Sequence, residues 1–306
     1  MLPTSGNDRD NTRGWTSRSL GSRLQHEFFY RLIRLGGRRL AYLFLYPVVG
    51  WYTLCRPSAR RRTEYYLRRR FPAADRLELL RHSYRLSLAF ARVLVDRARI
   101  GIEGPHSLKV TFPDRNAMLE IMAGGGFVLM NAHVGCWQVA MSAIDFLQTP
   151  VNMLLQREHG DVDRQYYEHR GERQPFRIIE PGGYLGGVLE MLAVLKRREA
   201  LCVMGDRILG SERNVLRVPF LGREARFPYS AYALASAAQT PVAVLLTRKT
   251  GPDSYTLQLA RVIRPEPGLG REPAAYYPCV LAFAQALEVY VREYPYQFFN
   301  FHDLWA

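Results

Sequence analysis

The residues best suited to chemistry lie in one stretch, residues 127–139, which reads FVLMNAHVGCWQV. An apolar run typical of a buried strand ends at Met130, and an apolar-periodic segment typical of a helix begins at Trp137. His133 falls on the turn between them, where open α/β sheets place ligand-binding residues. A neutral histidine there can take a proton from a hydroxyl group, which is the work of a general base.

Gln138 stands five residues after His133 and is the first candidate partner for its ring. Five residues of a continuous helix rotate by about 500°, which would place the two side chains on different faces. They can meet only if His133 lies in the turn and Gln138 in the first turns of the helix. Gln138 could then accept from one ring nitrogen and aim the other outward. A lone histidine is more often structural, so this pair alone does not establish catalysis.

Two further polar groups follow predicted strands. The segment GDRILG carries Asp206 and Arg207 at the end of an apolar run, where site residues of α/β proteins collect. The segment VPFLGREARFP is predicted to contain a loop, on which Arg223 and Arg226 could bind a phosphate or a carboxylate through paired hydrogen bonds. The alternative for these two arginines is a network of surface ion pairs.

Strands and helices are predicted to alternate along most of the chain. The predicted strands are residues 108–112, 127–130, 151–155, 176–180, 200–204, 215–219 and 241–247, with an edge strand at 255–263. The predicted helices are residues 63–100, 116–122, 162–170, 184–197, 230–239 and 274–294. This alternation is typical of an α/β fold with a mostly parallel central sheet and covering helices.

Positive charge is concentrated at the N-terminus. Residues 1–70 contain 15 Arg and four acidic residues, a net charge of +11 out of +14 for the whole chain. Within them, residues 40–55 are sixteen uncharged residues with arginines on both flanks. Because about 20 apolar residues are needed to cross a bilayer, this run favours a helix lying in or dipping into an anionic membrane surface. The alternative is a core helix of a soluble domain.

Three regions are therefore expected: a disordered basic arm at 1–22, a helical membrane-associated segment at 23–100, and an α/β domain at 101–306. Hydrophobic residues make up 48% of the chain and charged residues 23%, which is typical of globular proteins. The four cysteines are widely spaced, which predicts reduced thiols and no metal site. The aromatic C-terminal segment YPYQFFNFHDLWA is expected to pack on the body or on the membrane.

Several blocks together resemble the bacterial lipid A late acyltransferase family, within the lysophospholipid and glycerolipid acyltransferase superfamily. The blocks are NAHVGCWQVA, GDR, VPFLGREARFPYSAYALASAAQTPV and YPYQFFNFHDLW. The last is most similar to relatives from aryl polyene and other unusual lipid pathways. The resemblance covers most of residues 24–305. It implies transfer of a fatty acyl chain from acyl carrier protein or coenzyme A to a hydroxyl of a membrane lipid, at the cytoplasmic face of the inner membrane and without a metal or redox cofactor.

The family signature is a histidine followed, after four residues, by an acid that orients the ring. His133 matches the histidine, but Gln138 occupies the acidic position. Three outcomes follow: Gln138 suffices, another acid such as Asp206 or Asp145 supplies the charge, or activity is weak or absent. The last outcome describes a catalytically silent lipid-binding protein of the same fold.

The resemblance also implies roles around the histidine. Asn131, the backbone amides near Gly135, or Arg207 would stabilise the oxyanion that forms during transfer. Arg223 would bind the donor's phosphopantetheine or the anionic head of the acceptor. Cys136 is not expected to act as a nucleophile, because direct transfer needs no covalent intermediate. A nucleic-acid binder is a further alternative for the arginine-rich N-terminus, but no recognised nucleic-acid motif appears.

Overall fold

A computed structural model describes residues 23–139, 149–155, 176–180, 187–208 and 214–306. The arm predicted at residues 1–22, the helix predicted at 162–170, and Asp145 lie outside the described residues. The described α-helices are α1 (Arg23–Cys55), α2 (Pro57–Arg70), α3 (Arg76–Glu103), α4 (Arg115–Ala123), α5 (Val188–Lys196), α6 (Ser230–Ala238) and α7 (Tyr277–Glu293). The described strands are β1 (Lys109–Thr111), β2 (Phe127–Asn131), β3 (Val151–Leu154), β4 (Arg177–Ile179), β5 (Ala200–Met204), β6 (Val215–Phe220), β7 (Arg223–Pro228), β8 (Val242–Lys249) and β9 (Ser254–Ile263).

Helices α2 and α3 are separate, although the sequence predicts one helical region over residues 63–100. The break is set by a capping box at the start of α3. The carboxylate of Asp75 accepts from the backbone N–H of Glu78 at 2.7 Å, and the Glu78 side chain accepts from the backbone N–H of Asp75 at 3.0 Å. Both bonds satisfy N–H groups that have no partner within a helix, so they fix where α3 begins.

Helix α1 packs one face on α3 and exposes the other. Its buried face is formed by Ile33, Ala41, Leu45 and Val49, which contact Leu88 and Val95 of α3. On the opposite side, Leu35, Leu43 and Leu54 are 85%, 63% and 64% exposed. Among the described residues these leucines form an exposed apolar face, the kind of patch found at protein or membrane contact surfaces.

Seven strands form the central sheet, in the order β1-β9-β8-β2-β5-β3-β4. Strands β8, β2, β5, β3 and β4 run parallel, and the pair β8–β9 is antiparallel. Strands β2 and β5 are buried on both faces, as parallel strands covered by helices are. Alternate residues of β2 contribute to two hydrophobic clusters: Phe127 and Leu129 pack near α4, and Val128 and Met130 pack near α5, α6 and α7. The predicted α/β fold with a mostly parallel sheet is therefore confirmed.

The edge strand predicted at residues 255–263 is covered only at its start. Strand β1 pairs with β9 in parallel from Lys109 opposite Ser254 to Thr111 opposite Thr256. Among the described residues, no strand pairs with residues 257–263 on that side. The short covering strand lies far from β9 in the sequence, so the alternation within β9 could not reveal it.

Residues 215–228 also depart from the prediction. Strands β6 and β7 form a separate antiparallel hairpin that turns at Leu221 and Gly222, both with positive φ. The predicted strand at 215–219 is thus outside the central sheet, and Arg223 and Arg226 lie on a strand and not on a loop. Apolar residues alternate with other residues along both strands, as expected of strands with one buried face. The charged residues between them hid this alternation in the sequence. The inward residues are Val218, Phe220, Ala225 and Phe227, all buried.

Helix α7 and the C-terminal segment close the core. The stretch Pro273–Glu293 has the length and hydropathy of a membrane span, and 44% of the apolar window is buried inside the protein. Its inner face, including Phe283 and Leu287, is completely buried, whereas Val289 on the same helix is 67% exposed. The aromatic tail packs on the body, where Phe298 and Phe299 are 1% and 6% exposed.

Candidate active site

The register of β2 and β5 brings His133 and Asp206 together. The two strands are parallel, and Asn131 lies opposite Met204 at their carboxyl ends. His133 and Asp206 each follow two residues later. The ring Nδ1 of His133 lies 2.8 Å from Oδ1 of Asp206, and the backbone N–H of His133 donates to Oδ2 at 3.0 Å. Asp206 is 1% exposed, whereas 24% of the His133 side chain is exposed.

The pair is poised as a neutral imidazole beside an ionised carboxylate. Burial disfavours the charged form of Asp206, but His133, Arg207 and the hydrogen bonds from His133 outweigh burial and hold the pKa of Asp206 below its usual range. Burial lowers the pKa of His133, although Asp206 opposes this effect. An ionised carboxylate only accepts, so Nδ1 carries the ring proton and Nε2 keeps a lone pair that can bind another.

The C-terminal segment is bonded to the turn that carries His133. The backbone N–H of Phe299 donates to the carbonyl of His133 at 2.6 Å, and the backbone N–H of Gly135 donates to the carbonyl of Gln297 at 2.9 Å. Gly135 has φ of +52°, and a Cβ atom there would lie 2.0 Å from the carbonyl oxygen of Thr247. Glycine is therefore required sterically at this turn, in addition to any role toward substrate.

Asn300 is a residue of this site that the sequence did not identify. Its Nδ2 donates to the backbone carbonyl of Asp206 at 2.9 Å and lies 3.3 Å from Oδ2 of the same residue. Its Oδ1 accepts from the backbone N–H of His302 at 3.1 Å. The only signal in the sequence was its position in the block YPYQFFNFHDLW, which carried part of the family resemblance.

The ring nitrogen Nδ1 of His133 faces Asp206, in the position expected of Gln138. Gln138 is 3% exposed, and its Oε1 accepts from the Cys136 thiol at 3.5 Å. Asp206 is the candidate source of the missing charge that lies within the described residues, and it contacts the ring. Burial raises the pKa of the Cys136 thiol to about 11, so this cysteine is a protonated structural residue at neutral pH.

Three of the backbone amides near Gly135 already have partners within the protein. The N–H groups of His133, Val134 and Gly135 donate to Asp206 Oδ2, to the Ala132 carbonyl and to the Gln297 carbonyl. Asn131 directs its Nδ2 to the sulfur of Cys202 on β5, at 3.2 Å.

Arg207 is a further candidate for stabilising negative charge. It immediately follows Asp206 and lowers the pKa of both His133 and Asp206. His302 lies in the same positive field: burial first, then Arg207, His133 and Arg62, lower its pKa to about 4. Two cations, Arg207 and Arg62, therefore act on this part of the protein, and Arg207 acts on the His133–Asp206 pair itself. A positive field of this kind suits an anionic substrate or an oxyanion.

Arg223 and Arg226 lie on the β6–β7 hairpin. The backbone N–H of Arg226 donates to the Leu304 carbonyl at 2.7 Å, and its guanidinium lies 3.4 Å from the oxygen of Ala306. Arg223 is exposed beside the hairpin turn. Substrate binding by either residue stays a prediction.

In the part of the chain that the structure describes, no group of three or more His, Cys, Asp or Glu residues could hold a metal ion. The three buried cysteines, Cys136, Cys202 and Cys279, are free thiols. The expectation that no cofactor is required stays a prediction, because the structure does not test it.

Comparison with known proteins assigns the family. A solved structure, the 1-acyl-sn-glycerophosphate acyltransferase of Thermotoga maritima, is similar at 14% sequence identity and a TM-score of 0.35. The match covers 86% of this chain and 98% of the Thermotoga chain, and a TM-score this low supports no conclusion. No curated protein matches the chain. The model of the bacterial lipid A biosynthesis acyltransferase family, however, matches residues 29–306, which include the turn, the acid and the tail. The chain therefore belongs to the bacterial lipid A biosynthesis acyltransferase family and is an acyltransferase that acts on lipids.

Proposed function

We propose that this protein moves a fatty acyl chain from an acyl thioester, carried by acyl carrier protein or coenzyme A, to a hydroxyl group of a lipid or glycolipid. The observation that carries the proposal is the contact of 2.8 Å between Nδ1 of His133 and Oδ1 of Asp206. This contact supplies a carboxylate in place of the signature acid, whose position is occupied by Gln138 in this chain. A catalytically silent lipid binder has no need for an ionised acid beneath a partly exposed histidine.

The chemistry follows from the geometry of this pair. Nε2 of His133 takes the proton of the acceptor hydroxyl while the oxygen attacks the thioester carbonyl. Asp206 stabilises the imidazolium that forms, and Arg207 stabilises the oxyanion of the tetrahedral intermediate. Collapse of the intermediate breaks the carbon–sulfur bond. The leaving thiolate takes the proton from His133, so the products are the acylated lipid and the free thiol of the donor.

The N-terminal helices support a site of action at an anionic membrane surface. The exposed face of α1 carries Leu35, Leu43 and Leu54, and Trp51 near its end is 50% exposed. Arginines on both sides of this face suit the headgroups of anionic lipids. We place the protein at the cytoplasmic face of the inner membrane, where acyl thioesters are made and lipid acceptors are within reach.

A basic cleft between α2 and α3 adds to this interpretation. It has a volume of about 490 Å³ and is lined by Arg60, Arg61, Arg68 and Arg76, with Glu64 among them. Glu64 is paired with Arg68 at 2.9 Å and with Arg60 at 3.5 Å, so it offsets only part of the positive charge. Sedimentation with anionic vesicles, compared with neutral vesicles and with DNA at physiological salt, tests the membrane partner against the nucleic-acid alternative.

Acyl transfer is tested with the purified protein, acyl carrier protein or coenzyme A thioesters, and a bacterial lipid extract, with products read by mass spectrometry. Transfer should disappear in His133→Ala and persist in Cys136→Ala, a matched change in the same turn. Absence of transfer from every donor, with lipid binding retained, would favour the silent protein. The mass of the added chain and of its acceptor names both substrates.

A further inference from the structure

We infer that Asn300 is a positioning residue for the His133–Asp206 pair: it fixes the carboxylate of Asp206 so that one oxygen faces the ring. The inference rests on the proposed acyl transfer and extends it to a residue outside the family signature. Asn300 lies in the tail, 94 positions after Asp206, and is 2% exposed. Both polar atoms of its side chain, Nδ2 and Oδ1, form hydrogen bonds within the site.

The two oxygens of the Asp206 carboxylate have different hydrogen-bond partners. Oδ1 faces Nδ1 of His133 at 2.8 Å. Oδ2 faces away from the ring and is held by two donors, the backbone N–H of His133 at 3.0 Å and Nδ2 of Asn300 at 3.3 Å. A second bond from Nδ2 to the Asp206 carbonyl, at 2.9 Å, fixes Asn300 itself. The carboxylate therefore cannot rotate without losing donors at Oδ2.

Asn300 also helps to keep the buried carboxylate ionised, because a donor facing a carboxylate favours its charged form. The other charged or titratable groups that face Asp206 are His133 on the turn after β2, Arg207 next to it, and His302 on the tail, with Arg62 of α2 beyond His302. Of the residues that act on Oδ2, Asn300 alone can be changed without altering the backbone of the turn.

The isosteric substitution Asn300→Asp tests this role. It keeps the acceptor for the His302 N–H and replaces the donor facing Asp206 with a second carboxylate. Two carboxylates at this distance share one proton, and the pKa of one of them is strongly raised. At low pH the shared proton restores a donor; as pH rises it leaves, and the two negative charges repel. We expect kcat of Asn300→Asp to fall at high pH, giving a bell-shaped profile where the wild type has a plateau.

Asn300→Ala removes the donor at every pH. We expect its kcat to be lower by roughly 10–100-fold, the cost commonly seen when a partner that orients a functional side chain is lost, with little change in KM and no new limb at high pH. Profiles of wild-type shape and height in both variants would overturn the inference.

A matched control exists in Asn152. Its Nδ2 donates to the carboxylate of Glu199 at 2.9 Å and lies 3.4 Å from the carbonyl of Ala200, and it too is 2% exposed. Asn152→Asp makes the same chemical change beside the same kind of group on β3, away from His133. We expect a similar loss of thermal stability and a pH profile of wild-type shape. A bell-shaped profile in this control would also overturn the inference, because a general loss of stability would then explain both results.

Nuclear magnetic resonance gives a readout that does not depend on acyl transfer. The Nδ1 proton of His133 should shift or exchange faster in both Asn300 variants, and it should be unchanged in Asn152→Asp. If the variants fail to fold, the wild type suffices: the side-chain amide protons of Asn300 should titrate with the midpoint of the His133–Asp206 pair. Independent midpoints would contradict the inference. Coupled midpoints with no transfer activity would instead place the failure on the proposed function.

Discussion

Two buried carboxylates of this protein have opposite surroundings. Asp206 is 1% exposed and shares Oδ1 with a histidine whose side chain is 24% exposed. Asp96 on α3 is fully buried, and its carboxylate is held by three side chains of the protein: Tyr42 at 2.6 Å, Tyr255 at 2.5 Å and Lys249 at 2.5 Å. Both carboxylates contact a basic side chain, but the basic partner of Asp206 is a histidine that is partly exposed to solvent, whereas that of Asp96 is a lysine.

On the proposed mechanism, this difference distinguishes a carboxylate that serves catalysis from one that anchors the fold. Lys249 donates to Asp96 and to the Pro252 carbonyl at 2.8 Å, so the Asp96 cluster is closed. It joins α1 and α3 to the β8–β9 hairpin, next to a second pair in which Arg99 lies 2.8 Å from Asp253. The Asp206 pair keeps one nitrogen, Nε2 of His133, outside the carboxylate contact. Function requires a partner that can change its protonation state at neutral pH, which histidine can and lysine in an ion pair does not.

The largest expected effect is on the catalytic side. Asp206→Asn should lower kcat by about 10⁴-fold, as does loss of the orienting acid in serine protease triads, because the ring loses both its preferred tautomer and its counter-charge. Rates of acyl transfer measure this, and thermal unfolding shows whether the variant is folded. A folded Asp206→Asn variant with wild-type turnover would remove Asp206 from the mechanism.

Asp96→Asn should break the anchor and leave the chemistry intact. Removing one partner of a buried ion pair costs roughly 3–5 kcal/mol, because the remaining charge is left buried without compensation. Chemical denaturation should show this loss of stability, while kcat per folded molecule stays within about threefold of wild type. A large loss of kcat in fully folded Asp96→Asn would show that the two carboxylates are not independent.

The pH dependence should separate the two pairs further. Burial lowers the pKa of His133 from 6.5, so kcat should be constant near neutral pH and fall by about tenfold per unit below that lowered pKa, as the base becomes protonated. Asp206 raises the pKa of His133, so residual activity in Asp206→Asn should fall at a lower pH than in the wild type. A rate profile compared across the three proteins checks this, with Asp96→Asn expected to follow the wild type.

The smallest effect on rate is expected at Gln138. Since Asp206 already supplies the charge, Gln138→Glu should not raise kcat. It places a carboxylate beside the buried Cys136 thiol and should reduce stability by about 1–3 kcal/mol. Rates and unfolding free energies of Gln138→Glu and Gln138→Leu decide this. A tenfold or greater gain in kcat for the glutamate variant would show that the site lacks charge after all.

Local patterns in the sequence were enough for much of the fold. The apolar runs that became β2, β3, β5 and β8 are buried parallel strands, and burial on both faces leaves no other composition available to them. The hairpin formed by β6 and β7 was misread because its arginines alternate with the inward residues and resemble a charged loop. The pairing at the start of β9 was not predicted because the strand that provides it, β1, is distant in sequence.

The sequence by itself determined that His133 stands on a turn after a buried strand, that Asp206 stands at the end of another, and that an acid is missing at Gln138. Only the tertiary structure showed that the carboxylate of Asp206 contacts the His133 ring. Its contact with His133 depends on β2 and β5 being neighbours in register, a pairing set by the whole sheet and spanning 73 positions of chain. The same is true of Asn300, whose role exists only because the tail pairs with the turn. Side-chain chemistry is local, but which side chains meet is decided by strand order.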